Sequence, residues 1–420
     1  MKVLWITNVL LPEALGLLTG NNNTAGSGGW LSSSADSIKD SVDLTIATPT
    51  DKVNSLKKKE GNGIVYYYLP MGKGNVEYNS SYEPLWKDIN KSVKPDLVHI
   101  HGTEYSHGLA YINACGARNV VVSIQGVMAE IAKHRNDGLS KWEILRNITI
   151  YDLKHGTLFS QQKRAYLRAL SEIEIIKKVH FFIGRTTFDH AYIFSLNPHA
   201  QYFHCDESMR DVFYEGMWCY EACKPHSIYI SSAAYPLKGL HMLLNAMPLI
   251  LRVYSDTQIV VAGRYRNTDR SLKSFFYQSG YEKILNSLIK KYQIESHITF
   301  IGMQDACGVK KSMLNSNLVL TPSSCENSSN SICEAQLLGV PCLASYVGGT
   351  PDMISESAMG ELYNFYDTNM LAYKICDIFE KSKYFNNTIM REKALQRNDR
   401  EKNAKRTIEI YKDIENEIRN

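Results

Sequence analysis

Short apolar runs recur along this chain, and between them lie stretches long enough for a helix. In the first half the runs are Val3–Thr7, Val42–Thr48, Ile64–Leu69, Leu97–His101, Val120–Ile124 and Phe181–Gly184. In the second half they are Ser227–Ser231, Gln258–Ala262, Ile298–Ile301, Leu318–Thr321 and Cys342–Ser345. Strands separated by helical segments imply parallel β-α-β units. One core does not hold 420 residues, so two domains are expected. The pattern therefore predicts an α/β chain of two tandem doubly wound, Rossmann-like domains. Residues 1–217 form the first, 218–396 the second, with a link near Trp218–Pro225. Residues 397–420 read as a charged amphipathic helix.

Composition narrows the function classes. A net charge of +4 offers no footprint for nucleic acid. No apolar run is long enough to cross a bilayer. Met1–Asn8 reads as a buried strand rather than a signal peptide, since only a few apolar residues precede a polar, glycine-rich loop. Nine cysteines without paired spacing suggest reduced thiols and a cytoplasmic protein. Cys219 and Cys223 are not followed by a second pair, so no metal site is expected. The first strand lacks a following G-x-G-x-x-G, which argues against a dinucleotide dehydrogenase.

In open α/β sheets, ligands bind beyond the carboxyl ends of the strands. The segment Ser323–Ala335 stands at such an end. It follows Leu318–Thr321 and Pro322 and precedes the helical stretch Ala335–Leu338, closed by Gly339. Two glutamates, Glu326 and Glu334, are separated by seven residues. Glu326 falls in the loop and Glu334 in the first turn or two of the helix, with serines and asparagines able to cap it. Free amides at a helix start favour anions, and a carboxylate beside them accepts hydrogen bonds from hydroxyls. Such a site suits a ligand carrying both phosphate and sugar hydroxyls.

This stretch, continuing through Gly339–Asp352, resembles the E-x7-E donor-site signature of the family-4 retaining glycosyltransferases. The resemblance implies the GT-B fold, with two domains facing a cleft and the last helix crossing back to the first domain. It implies transfer of a sugar from a nucleoside-diphosphate donor to a glycan or lipid-linked acceptor. Glu326 would contact the transferred sugar and Glu334 the ribose hydroxyls. Asn327 and Ser328 would supply backbone amides, and Ser331 and Ile332 would open the helix facing phosphate. Lys238, in Tyr235–Leu240, matches the lysine of the family's diphosphate clamp. The family's arginine ahead of that lysine is replaced here by Ser232 and Ala233. Arg264 or Arg266, after Gly263, would be the substitutes. The clamp needs no metal, and no cofactor is expected.

On the acceptor side, Gly28 and Gly29 match the family's glycine pair, where glycine permits close backbone approach. His101 and Glu104 follow a strand and so sit on the functional edge. His99 shares a strand face with His101, and a structural role is expected for it. Gln125 stands where many members carry a histidine near the anomeric centre, and it cannot act as a base. Arg185 reads either as a ligand contact or as part of a helix cap.

Two other readings compete: a GT-B-fold sugar-nucleotide epimerase, and a non-catalytic sugar-nucleotide-binding protein. The first needs a cluster of acid–base carboxylates around the sugar, which is not evident. The missing clamp arginine keeps the second open. From Lys133 to Lys178 basic residues outnumber acidic ones, with Trp142, Ile144, Leu145, Ile148, Tyr151 and Phe159 interleaved. This segment is expected in the first domain. It is either a solvated helix face or a surface for anionic lipid on the inner face of the cytoplasmic membrane, or for a phosphorylated acceptor.

Overall fold

The structure is a computed structural model that describes residues 1–20, 29–71, 76–265 and 277–419. The chain divides into two compact units. One comprises residues 1–130, 164–210 and 397–420, the other residues 131–163 and 211–396.

The first unit is built on β1 (Lys2–Thr7), β2 (Asp43–Thr50), β3 (Lys57–Gly61), β4 (Ile64–Pro70), β5 (Leu97–His101), β6 (Val120–Ser123), β7 (Phe181–Gly184) and β8 (Gln201–His204). They form one sheet in the order β3-β4-β2-β1-β5-β6-β7-β8. Neighbours run parallel except for the β3/β4 hairpin. Alternate side chains of a strand point to opposite faces, and β1 shows it. Val3 and Trp5 enter one core, with Leu44, Ile46 and Tyr66, while Leu4 and Ile6 enter the other, with Val98, Ile100 and Phe182. The helix Arg400–Arg419 closes the first of these cores with Ile410, Tyr411 and Ile414. The Tyr411 hydroxyl accepts from Trp5 Nε1 at 2.9 Å and bonds His99 Nδ1 at 2.6 Å. His99 Nε2 meets Ser123 Oγ at 2.6 Å, so this histidine has the structural role expected of it.

The second unit is built on β9 (Lys224–Ile230), β10 (Gln258–Ala262), β11 (Ile298–Gly302), β12 (Ser316–Thr321), β13 (Cys342–Ser345) and β14 (Glu361–Tyr363). Their order, β11-β10-β9-β12-β13-β14, is all parallel. It is the doubly wound arrangement in which strand order reverses between the first and fourth strands. Helix Leu240–Val253 covers one face through Leu240, Leu243, Leu244, Met247 and Ile250. Fully burying each such side chain contributes about 1.5–3 kcal/mol.

Two divisions differ from the sequence reading, for the first unit gives way to the second at 210/211 rather than 217/218. Residues 131–163 belong with the second unit, not the first. Ile144 and Leu158 join its core, and Asp152 accepts from Gly280 N at 3.1 Å. Strands β3, β8 and β14 were not expected. The β3/β4 turn is Asn62-Gly63, with φ of 53° and 76°, a sequence typical of two-residue hairpins.

Candidate active site

The second sheet reverses order between β9 and β12, and the loops leaving these strands carry the donor-side residues. After β9 the chain makes a tight turn, Pro236–Lys238, and passes through Gly239 into helix Leu240–Val253. Gly239 has φ +70°, and a Cβ there would lie 1.6 Å from the Pro322 carbonyl oxygen. No other residue lets the two loops come this close. The approach is held by Ser324 N donating to Leu237 O at 2.9 Å. It sets Lys238 Nζ 2.5 Å from Glu326 Oε1. Ser323 Oγ donates to the same carboxylate oxygen at 2.7 Å, and Gly349 N donates to the Glu326 carbonyl at 3.0 Å. Removal from water opposes the lysine charge, but the Glu326 carboxylate outweighs it and keeps Lys238 protonated beyond the ordinary lysine range.

Helix Asn330–Leu338 begins directly behind this pair. It starts one residue earlier than Ser331, and its cap residue Ser329 makes no side-chain capping bond. Ser329 N instead approaches the Met353 sulfur at 3.1 Å. Ser331 Oγ meets Ser231 Oγ at 2.6 Å, joining the helix start to the loop after β9. Glu334 is buried in the helix, and Asn327 is buried in the preceding loop, with Ser328 half-buried and Ile332 buried. After β10, Gly263 has φ +95°, and a Cβ on it would stand 3.4 Å from the Ser232 Cα. Arg264 is exposed, while Tyr265 stacks on Phe300 with centroids 3.6 Å apart. Gly28 and Arg266 lie outside the described residues. Gly29 opens helix Gly29–Ile38.

The first sheet reverses order between β1 and β5. Asn8, after β1, donates to Glu104, after β5. Gly102 permits the contact, because with φ +93° a Cβ would collide with both side chains. Desolvation holds the Glu104 carboxyl above its usual range. His101 is buried against Trp5, 4.2 Å between centroids, and His99, 3.8 Å. Burial first, and then His99, keep its imidazole neutral well below the ordinary histidine range. His101, Gln125 and Arg185 line one cavity at the carboxyl edge of this sheet.

Sequence reasoning missed two acids there. Glu207 forms an ion pair with Arg185 and accepts from Gln125 Nε2 at 3.2 Å. Arg185 Nη2 also reaches the Ile124 carbonyl at 3.1 Å. Arg185 therefore points into the cavity lining, while Thr186 does the helix capping. Glu172 is wholly buried in helix Leu158–Lys178. Its Oε2 accepts from Thr103 Oγ1 at 2.6 Å and Met128 N at 3.1 Å, and its Oε1 from Ala129 N at 3.3 Å. It thus ties the loop bearing Glu104 to the loop bearing Gln125. Burial pushes its pKa up to about 7.

Comparison with known proteins points the same way. Residues 222–407 match the family model of the glycosyl transferases group 1. An 85-residue stretch is 35% identical to N-acetyl-alpha-D-glucosaminyl L-malate synthase of Bacillus anthracis, covering 20% of this chain and 22% of that protein. The match thus spans about a fifth of that relative's length. The fold is similar to sucrose-phosphate synthase from Thermosynechococcus elongatus, with a TM-score of 0.73, 15% identity and 99% of each chain covered. It is also similar to Anabaena HepE in complex with UDP and glucose, with a TM-score of 0.63, 14% identity, and 97% of this chain and 98% of that one covered.

The two largely parallel, doubly wound sheets and these likenesses define the GT-B fold. Within that fold, the stretch similar to the glycosyl transferases group 1 is residues 222–407, which holds the donor-side loops of the second unit.

Proposed function

We propose that this protein transfers a glycosyl group, with retention of configuration, from a nucleoside-diphosphate sugar to a glycan or lipid-linked acceptor. The observation that carries the reading is the Lys238–Glu326 pair, 2.5 Å apart beside the start of helix Asn330–Leu338 at the reversal point of the second sheet. Charge grows on the leaving diphosphate as the bond breaks, and preorganised cations and amides lower that barrier.

In this reading Lys238 and the amide of Ser331 receive the diphosphate, the lysine exchanging its present partner for phosphate, and the Ile332 amide joins them by giving up its 3.1 Å bond to the Ser329 carbonyl. Glu326 and the amides of Asn327 and Ser328 orient the transferred sugar, and Glu334 accepts from the ribose hydroxyls. Gly263 and Arg264 border the nucleotide. The bond between the anomeric carbon and the phosphate oxygen breaks, with its electron pair leaving on phosphate. The acceptor hydroxyl oxygen bonds that carbon from the same face, and its proton passes to the departing phosphate. His101, Glu104, Gln125 and Arg185, with Glu207, serve the acceptor. HepE, similar in fold, is described in complex with UDP and glucose, which supports a nucleotide-sugar donor here. Lys238 supplies the cation at the diphosphate, so no metal is required.

A non-catalytic sugar-nucleotide binder is the second reading, favoured by Ser232 and buried Ala233 at the positions where the family carries arginine. A thermal-shift screen of nucleoside diphosphates and their sugars finds the donor, since a ligand of the folded state raises Tm with concentration. Donor turnover is then assayed with and without EDTA. Turnover that survives EDTA supports the proposal. Binding without hydrolysis or transfer supports the second reading. Activity lost to EDTA and restored by Mg2+ or Mn2+ overturns the role given to Lys238.

A further inference from the structure

Among the described residues no helix is long and apolar enough to cross a membrane, yet one short stretch of the second unit presents large apolar side chains to solvent. Trp142 is 73% exposed, Leu145 48%, Ile150 63% and Leu153 75%. They sit on two short helices, Lys141–Arg146 and Ile150–His155. In each the exposed pair is spaced i,i+3 and so shares one face. The opposite faces are anchored. Ile144 enters the core of the second unit, and Asp152 is buried and accepts from Gly280 N at 3.1 Å. Thr149 Oγ1 donates to Gln278 O at 2.8 Å. Both helices begin in capping boxes, Ser140 with Glu143 and Thr149 with Asp152. The display is therefore preformed and held.

The charges around it are of one dominant sign. Lys133, Lys141, Arg146 and Lys154 are exposed on the same stretch. Helix Gly280–Tyr292 adds more, for Lys283 Nζ reaches the Arg146 carbonyl at 3.3 Å. Desolvation opposes the Glu143 charge, but its hydrogen bonds with Ser140, with a smaller part from Lys291, hold the carboxyl below its usual range. Of the acids on this stretch, Asp152 is buried, Glu143 is bound in its cap, and Asp137 is bonded to His134 and Tyr366. The sequence pointed to the whole of Lys133–Lys178, but the structure narrows the surface. Arg168, for one, stacks over the Tyr105 ring at 4.7 Å in the first unit.

We propose that Lys141–His155 is a docking surface for an anionic lipid bilayer. Trp142, Leu145, Ile150 and Leu153 enter the headgroup–acyl boundary, and Lys141, Arg146 and Lys154 engage the phosphates above it. Tryptophan is favoured at that depth, and an apolar face framed by lysine and arginine is the signature of interfacial binding. The inference is independent of the transfer reaction proposed above, since its test reads lipid binding alone.

The test is flotation of the full chain with vesicles of phosphatidylcholine, pure or mixed with phosphatidylglycerol. Binding is expected to the mixed vesicles and not the pure ones, and to fall steeply as salt rises from about 0.01 to about 1 M, where charge attraction is screened. The triple variant K141Q/R146Q/K154Q is expected to lose roughly two orders of magnitude in affinity, about a factor of five per charge. The double variant W142S/L153S, altered only at exposed positions, is expected to bind neither vesicle with its Tm unchanged. In the wild type the tryptophan emission should shift to the blue on binding, and in W142F it should not. Equal binding to both vesicles, binding to neither, or wild-type binding by W142S/L153S would each overturn the proposal.

Discussion

Lys238 Nζ and Glu326 Oε1 stand 2.5 Å apart, although their residues are 88 positions distant in the chain. The pair joins the loops leaving the first and fourth strands of the second sheet. Lys238→Ala is expected to lower kcat on the order of 10²-fold or more, by analogy with removing one donor to a developing negative charge. Steady-state rates under saturating donor measure it. A variant with unchanged kcat removes Lys238 from the chemistry.

The two glutamates should separate by readout. Glu334→Ala is expected to raise the Kd for nucleoside diphosphate roughly 10- to 150-fold, the loss of a hydrogen bond to a charged acceptor. Glu326→Ala is expected to lower turnover while leaving that Kd within a few-fold of wild type. Calorimetric titration of both variants, with initial rates, tests the division. Wild-type behaviour of both would falsify the assigned site.

Gly239→Ala meets a backbone rather than a movable side chain, since the new Cβ would sit 1.6 Å from the Pro322 carbonyl oxygen at φ +70°. Left-handed backbone alone costs about 1–2 kcal/mol, and the loops must also part. The variant should lose at least about 2 kcal/mol in urea unfolding and lose turnover with it. A stable variant of normal activity would show that the loop approach is not needed.

Glu172 links stability to pH. Its folded pKa, about 7, stands above the ordinary 4.5. Between these values the folded protein keeps a proton that the unfolded chain has released. Stability from this group is thus full below the ordinary pKa and lost as pH rises through about 7, by on the order of 3 kcal/mol. Buried His99, His107 and His241 act in the opposite sense. Their folded pKa values lie below 6.5, so they lend stability above it and lose it as pH falls. The difference between Glu172→Gln and wild type isolates the carboxyl. Across urea unfolding from about pH 5 to about pH 8, the glutamine variant should gain on wild type as pH rises. A flat difference would mean that the carboxyl is already ionised in the fold.

Most central strands, such as β5, β6, β12 and β13, were legible because they are buried on both faces and read as largely apolar runs. β3 was not, because Lys57–Lys59 are exposed and charged along the sheet edge, although Asn62-Gly63 marked its turn. The half-exposed edge strand β8 was hidden for a similar reason. The placement of residues 131–163 depends on anchors far away in sequence, such as Asp152 with Gly280. A count of charges gave no hint of these anchors. Two acids counted in the Lys133–Lys178 segment, Asp152 and Glu172, are buried connectors rather than solvated partners of lysines.

At the site, the Lys238 and Glu326 positions followed from a resemblance, and the structure supplies their pairing. Glu207 carried no signal, for it lies just beyond a short edge strand, in a stretch with neither periodicity nor motif. Its partner Arg185 was legible only because it follows a strand.

The bond from Trp5 to Tyr411 spans 406 positions. Chains grow at roughly 5–20 residues per second, so the first strand waits roughly 20 to 80 seconds for the hydroxyl that satisfies its indole. All of the second unit, residues 131–163 and 211–396, has been made before then. The unit whose synthesis begins first is thus the last to close: its eight strands are made by His204, but the face that Ile410, Tyr411 and Ile414 cover stays open until the last helix arrives.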